Sequence, residues 1–242
     1  MKRITMLFLI GLLLFSTGFL MSQEKPRLGV LRFTNEVGNL PWWTGTSRVG
    51  RELADMLSSE LVSTNAFQVL ERKEIDAVLT EQDFGESGRV SPATKAKMGQ
   101  IKGARYLVAG SVAAFEGGVK GSGAGVRIKG VSLGGKKEKA YLAVDVKVID
   151  TDTGEIVDTR TIEATTKGSA LGANVHLRGG ISFGAGGHQK TAVGKAIRAC
   201  IVYISEYLEC SLVQGKDAPC MDKWNRMDQK RREKTKSSID ID

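Results

Sequence analysis

Few residues in this chain could carry metal, redox or nucleophilic chemistry: three cysteines, Cys200, Cys210 and Cys220, and two histidines, His176 and His188. No Cys-x-x-Cys pair occurs, and two histidines in or beside one glycine-rich stretch give no recognisable zinc spacing. Cys210 and Cys220 bound a short loop holding Gly215 and Pro219, a geometry that permits a disulfide in an exported chain. Cys200 would then be free, and its place on the apolar side of a predicted helix makes it a packing residue. The run "GSGAG" at 121–125 has two glycines of a dinucleotide loop, but the third position of G-x-G-x-x-G falls at Val126. Glu71 and Arg72 read as a structural ion pair at a strand-to-helix junction, because no convergent titratable groups accompany them. No enzymatic activity, cofactor or metal is expected, and no nucleic-acid partner.

The elements that must position these residues come from a chain of 242 residues, 41% apolar and 26% charged, enough for one or two domains with a real core. Net charge is +8, with one late concentration of Lys and Arg at 223–236 inside a polar, basic C-terminal tail, 211–242. A contact with an anionic surface would use that charge, while the plainer reading is a solvated helix or frayed tail. Residues 1–22 begin with Lys2 and Arg3, continue through an apolar core and end in small residues, the pattern of an export signal cleaved near Gly18 or Ser22. An uncleaved anchor is the alternative. No cysteine lies near that region, so an exported outer-membrane or periplasmic protein without a lipid-modified cysteine is expected.

Apolar spacing supplies the rest. Residues 27–34 read as a strand, and Val49, Leu53, Met56, Leu57 and Leu61 place one apolar stripe on a helix over about 47–63. A second strand is expected at 66–71 and a second, shorter helix ending near Gln82. A third helix is expected from Pro92, suited to a first helical position, to about Ile101, with Gly103 as its stop. Residues 105–115 read as an interior strand. Leu142, Val144, Val146 and Val148 alternate along a further strand, which turns at 150–154 into a hairpin partner over 155–166. A last helix is expected from about Gln189 to Cys210. The fold class is α/β, a mixed sheet covered by helices on at least one face.

Two glycine-rich excursions, 115–140 and 167–187, interrupt this pattern and hold fifteen of the 29 glycines. Each leaves a strand end and returns to the next element, as a long β-hairpin would. Val126, Ile128, Val131 and Leu133 alternate with polar residues in the first, and Val175, Leu177, Ile181 and Phe183 do so in the second. Each is long enough for two strands of the length that crosses a bilayer. Four strands cannot close a barrel, and open edges in lipid leave backbone groups unpaired, so membrane insertion implies a ring of subunits sharing one barrel. Flexible surface loops are the competing reading, favoured by the charged run at 136–139 and the sparse aromatics.

The stretches "VLERKEIDAVLTEQ" at 69–82, "MGQIKGARYLVAGSVAAFE" at 98–116 and "VDVKVIDTDTGEIVDTRT" at 144–161 resemble the CsgG/HfaB family of curli-secretion and holdfast-anchoring proteins. The likeness runs in order from about Arg27 to Leu208, within a domain spanning 23–210. It implies a periplasmic domain resembling an anticodon-binding domain, assembled as an outer-membrane ring with two transmembrane hairpins per subunit. At four strands each, the largest known barrels of 36 strands need about nine subunits. The family passes unfolded extracellular fibre or adhesin subunits without nucleotide, with periplasmic accessory proteins as further partners. Its channel narrows at a loop between the first strand and first helix that carries a Tyr and an Asn-Phe pair. Here that loop offers Trp42 and Trp43 followed by Thr44, so the constriction role passes to the two tryptophans, with a clamp on a neighbouring helix or subunit as the alternative. Family members are commonly lipoproteins, and this chain lacks the acylated cysteine. A non-pore periplasmic module of the same fold, regulating envelope or peptidoglycan assembly, is the second reading.

Overall fold

The structure is a computed structural model that describes residues 24–38, 48–121, 126–128, 131–133, 137–169 and 192–239. Its strands are β1 (Arg27–Val30), β2 (Thr34–Asn35), β3 (Gln68–Leu70), β4 (Tyr106–Gly121), β5 (Val126–Ile128), β6 (Val131–Leu133), β7 (Lys137–Asp150) and β8 (Ile156–Ser169). Its helices are α1 (Arg48–Thr64), α2 (Ile75–Glu86), α3 (Ala192–Leu208) and α4 (Met221–Ser237), and α3 runs on into a π-helical stretch, Glu209–Gln214. The main sheet has the order β3-β1-β4-β7-β8, with β2 beside β4. Its first half is parallel and its second half, β4-β7-β8, antiparallel. β5 and β6 form a separate two-stranded antiparallel ribbon.

Periodicity explains which faces close on each other. Along β7, Leu142, Val144, Val146 and Val148 are all buried, one residue in two. Opposite them α3 presents Ala196, Cys200, Ile204 and Leu208 at four-residue spacing, and α1 presents Leu53, Leu57 and Leu61 at the same spacing. These side chains make one continuous core on one face of the sheet. Each buried Leu or Ile contributes on the order of 1.5–3 kcal/mol relative to exposure.

Two differences from the sequence reading have physical causes. No third helix forms over 92–101: every residue from 91 to 100 is exposed and Gly99 adopts φ +73°. A ten-residue segment without a buried face does not recover the cost of nucleating a helix, whatever its Pro92 start. The segment beyond residue 210, read as a polar tail with a solvated helix as its plainer form, is a helix exposed at most positions that nevertheless sends Met221 and Trp224 into the core. Cys210 and Cys220 are joined as a disulfide with Cα atoms 6.0 Å apart, and α4 follows it at once. Its Trp224 is buried, edge-on to Tyr207 at 5.5 Å and to Tyr203 at 6.3 Å between ring centroids. Arg160 on β8 stacks 5.0 Å over the Tyr207 ring and donates to the Trp224 carbonyl at 3.3 Å. The same corner is completed by Tyr207, which donates its hydroxyl to Asp158 at 2.7 Å. Thus α4 covers the outer edge of β8.

Candidate functional site

Three strands outrun the helices that cover them. β4 has 16 residues, about 53 Å at strand rise, whereas α3 with 17 residues reaches only about 26 Å. Helical cover stops near Ala140 and Ala164, where the Thr166 hydroxyl donates to the Ala192 carbonyl at 2.6 Å. Past that level the pairing continues, Gly117 opposite Ala140, Gly121 opposite Lys137, and Lys137 opposite Ser169. Register shifts between Val112 and Ala114 and between Gly117 and Val119 sit where β4 leaves the core, the position at which a bulge bends a strand. Gly117 is fixed by its neighbour, since a Cβ there would collide with the Phe115 ring.

In the first excursion, 115–140, β4 and β7 therefore pair as an antiparallel hairpin stem as far as Gly121 and Lys137, and the β5-β6 ribbon lies between them in sequence. Val126 pairs with Leu133 and Ile128 with Val131, so the four apolar positions stand opposite one another, two by two, in alternate rungs. Of the second excursion, 167–187, only Lys167, Gly168 and Ser169 lie in the described part of β8; Val175, Leu177, Ile181 and Phe183 lie outside the described residues.

The loop between β2 and α1 is rooted at the same end. β2 pairs parallel with β4, Thr34 beside Ser111 and Asn35 beside Val112, and the Glu36 N–H donates to the Val112 carbonyl at 3.1 Å. Asn35 Oδ1 accepts the Val37 N–H at 3.0 Å, an Asx turn that starts the loop. Phe33, 1% exposed, anchors this root in space left by two glycines: a Cβ at Gly110 would strike its ring, and one at Gly50 its carbonyl oxygen. Trp42 and Trp43 lie outside the described residues, in the stretch 39–47 between these roots. Because β2, β4 and β8 point the same way, their outgoing ends lie at one end of the domain.

The residues singled out for chemistry are scattered elsewhere and internally satisfied. Cys200 is buried with its thiol directed at the Leu142 and Ile162 carbonyls, 3.5 and 3.8 Å away, and burial pushes its pKa up to about 12. His176 and His188 lie outside the described residues, and among the described residues no group of three His, Cys, Asp or Glu could hold a metal ion. Glu71 and Arg72 do not pair, correcting the expected ion pair, since neighbouring residues in extended chain point apart. Instead Arg72 donates to the Glu71 and Lys102 carbonyls at 2.7 and 2.6 Å. Burial disfavours the charged Glu71 carboxylate, but the N–H groups of Glu74 and Lys73 donate to it at 3.0 and 2.6 Å and hold its pKa below the usual range. A Gly-x-Ser-x-Gly spelling at 130–134 puts Ser132 in β6, within a ribbon rather than the strand-to-helix turn of a nucleophile elbow. A second such spelling, around Ser182, lies outside the described residues. Among the described residues no helix is long and apolar enough to cross a membrane.

Residues 17–239 match the family described as curli production assembly/transport component CsgG. The CsgG proteins of Salmonella typhimurium and Escherichia coli K12 are each 27% identical over 116 residues, 46% of this chain and 42% of theirs. The match thus spans less than half the length of these curated relatives. Among solved structures, the hypothetical protein CT253 from Chlamydia trachomatis superposes with a TM-score of 0.46 at 18% identity, covering 79% of this chain and 99% of that one.

Proposed function

Since the chain belongs to the CsgG family, a family of assembly and transport components, we propose that it is one subunit of a ring-shaped outer-membrane channel for unfolded extracellular fibre or adhesin subunits. The observation that carries this reading is the common exit: the β4-β7 hairpin, the outgoing arm of β8 and the root of the 39–47 loop leave one end of an otherwise closed domain. Hairpins extending from one end of a domain can meet those of neighbours and close a shared barrel, which satisfies every backbone group in lipid. A loop rooted at the level where the hairpins begin lies at the mouth of that barrel. Trp42 and Trp43 are then the rings that line the narrowest point and grip an extended chain by stacking. The protein is exported, resides in the outer membrane with its domain in the periplasm, and forms a homo-oligomer of about nine copies if the barrel reaches 36 strands. Its other partners are the unfolded substrate and periplasmic accessory proteins, and it needs no cofactor.

The test is mass by light scattering in detergent together with single-channel conductance in planar bilayers, both on the full chain. The expected result is one large ring with steady conductance, and Trp42→Ala with Trp43→Ala raises that conductance by widening the narrowest point. A monomer or dimer with silent bilayers overturns the channel and leaves the periplasmic interaction module.

A further inference from the structure

Helix α2 contributes no residue to the core cluster. None of its apolar side chains joins the buried cluster, and it buries only Gln82 and Gly85, the latter beneath the Lys95–Ala96 backbone and side chain of its own following loop. Val78, Leu79 and Phe84 are 41–45% exposed, and Met98 and Ile101 on that loop are 52% and 40% exposed. These apolar side chains are exposed on one helix and its following loop, and helical spacing sets Phe84 on a different face of α2 from Val78 and Leu79. The helix also carries Asp76, Glu81, Asp83 and Glu86 and no Lys or Arg. By helical spacing Thr80 and Phe84 share the outward face, with Asp76 and Asp83 on one flank and Glu81 on the other. Among the described residues, only Glu86 of these four finds an ion partner, Lys95 at 3.0 Å.

The opposite side of the molecule supplies the complement. β3, which leads into α2, is one outer strand of the main sheet, and β8, covered by α4, is the other. α4 carries seven Lys and Arg against three Asp and Glu. Arg226, Lys230 and Lys234 recur every four residues as one exposed stripe, beside Met227 at 41% exposure. Arg231 and Arg232 are taken up by Asp228 at 2.6 and 2.8 Å, and Lys223 by Glu206, whereas the stripe has no ion partner among the described residues. Two acidic α2 helices would repel each other, so a two-fold contact through this helix is disfavoured. A head-to-tail contact meets no such repulsion, and its rotation can close a ring.

We propose that the acidic, apolar α2 surface of one subunit docks on the basic α4 stripe of the next copy of this same chain, and that this heterologous contact sets the ring. The inference rests on the ring reading above and names the surfaces that would make it. Charge sets partner and polarity, while Phe84 and Met227 supply apolar burial between the charged flanks.

Charge reversal tests it on the full chain in detergent. Glu81→Lys with Asp83→Lys makes one variant, and Arg226→Glu with Lys230→Glu the other; all four side chains are exposed, so thermal melting of each dissociated variant matches that of the dissociated wild-type chain. Each variant alone is expected to lose the ring by light scattering, with at least a tenfold rise in the concentration needed for assembly. Carrying all four reversals on one chain restores assembly, because every contact then joins an altered surface to its complement, whatever the number of copies. Wild-type rings alongside two variants that assemble as well as wild type overturn the contact and leave the ring reading standing. A wild-type chain that stays monomeric overturns both.

Discussion

The two ends of the β4-β7-β8 sheet are finished in opposite ways. At the end where β7 turns into β8, Arg105 pairs with Asp150 at 2.7 Å and with Asp152, and Asp150 Oδ1 accepts the Asp152 N–H at 2.8 Å. The Thr151 hydroxyl donates to the Ala104 carbonyl at 2.7 Å, and Gly154 takes the left-handed φ of +74° that the turn requires. At the other end the same three strands pass their last covering residues and continue outward in pairs. One end is closed by groups within the chain, so local sequence specifies it. The other continues as paired strands beyond the last buried residues of the sheet, the arrangement of a surface completed by another molecule.

That contrast breaks first if truncation costs the same at both ends. Leu142→Ala, under α3, is expected to lower unfolding free energy by about 2–5 kcal/mol in urea melts followed by circular dichroism. Val126→Ala on the hairpin is expected to change the same melt by less than about 0.5 kcal/mol while altering channel conductance. A loss at Val126 as large as at Leu142 would mean that the hairpin belongs to the core of the single chain.

Next in size is the staple holding α4 to the closed part. The Cys210–Cys220 disulfide spans a sequence separation of 10, for which loss of loop-closure entropy predicts about 2–3 kcal/mol. Replacing both cysteines by serine is expected to lower thermal stability by that amount. Reductant then has no further effect on the variant, and Cys200, buried and with a raised pKa, stays unreactive to thiol reagents until the protein unfolds.

A smaller effect separates the Tyr207 corner from the open end by pH. Burial first, and then the hydrogen bond to Asp158, push the Tyr207 pKa from 10.0 up to about 12. A group whose folded pKa is raised contributes stability fully present below its unfolded value and lost as pH rises through the folded value. Stability is therefore expected to fall between about pH 10 and 12, and Tyr207→Phe flattens that fall. Tyr141, raised to the same value, keeps part of it. A slope unchanged in Tyr207→Phe would remove this corner from the account.

Much of the closed domain was legible in sequence because its signals are periodic and local. The stripe from Leu53 to Leu61, the alternation from Leu142 to Val148 and the Asp and Gly of the 150–154 turn each name their own partners by spacing. What escaped has no period. Trp224 is one of two buried residues in a mostly charged helix, and its partners Tyr207 and Arg160 lie 17 and 64 positions away in sequence. The Pro92 start and Gly103 stop marked out a helix that lacks any surface to bury, so end signals alone misled. At the open end, the glycine spacing and partial alternation around Val126 and Ile128 indicated a hairpin. The shared direction of β2, β4 and β8, which sets the β2 root and the two outgoing strands at the same end, is a property of sheet order that spacing does not encode.

The smallest expected effect is also the sharpest comparison, because it sets α2 against α3. α3 buries eight residues and α2 two, so an apolar side chain on α2 has little to lose when the chain stands alone. Phe84→Ser is expected to change the melting free energy of the monomer by less than about 0.5 kcal/mol, whereas Ile204→Ser on α3 leaves an unsatisfied hydroxyl and a cavity in the core and costs several-fold more. If Phe84 instead serves the contact with the next subunit, the same substitution raises the concentration needed for assembly while the melt of the dissociated chain stays put. A side chain that matters for assembly and not for folding belongs to an interface, and Phe84→Ser separates the two quantities in one variant.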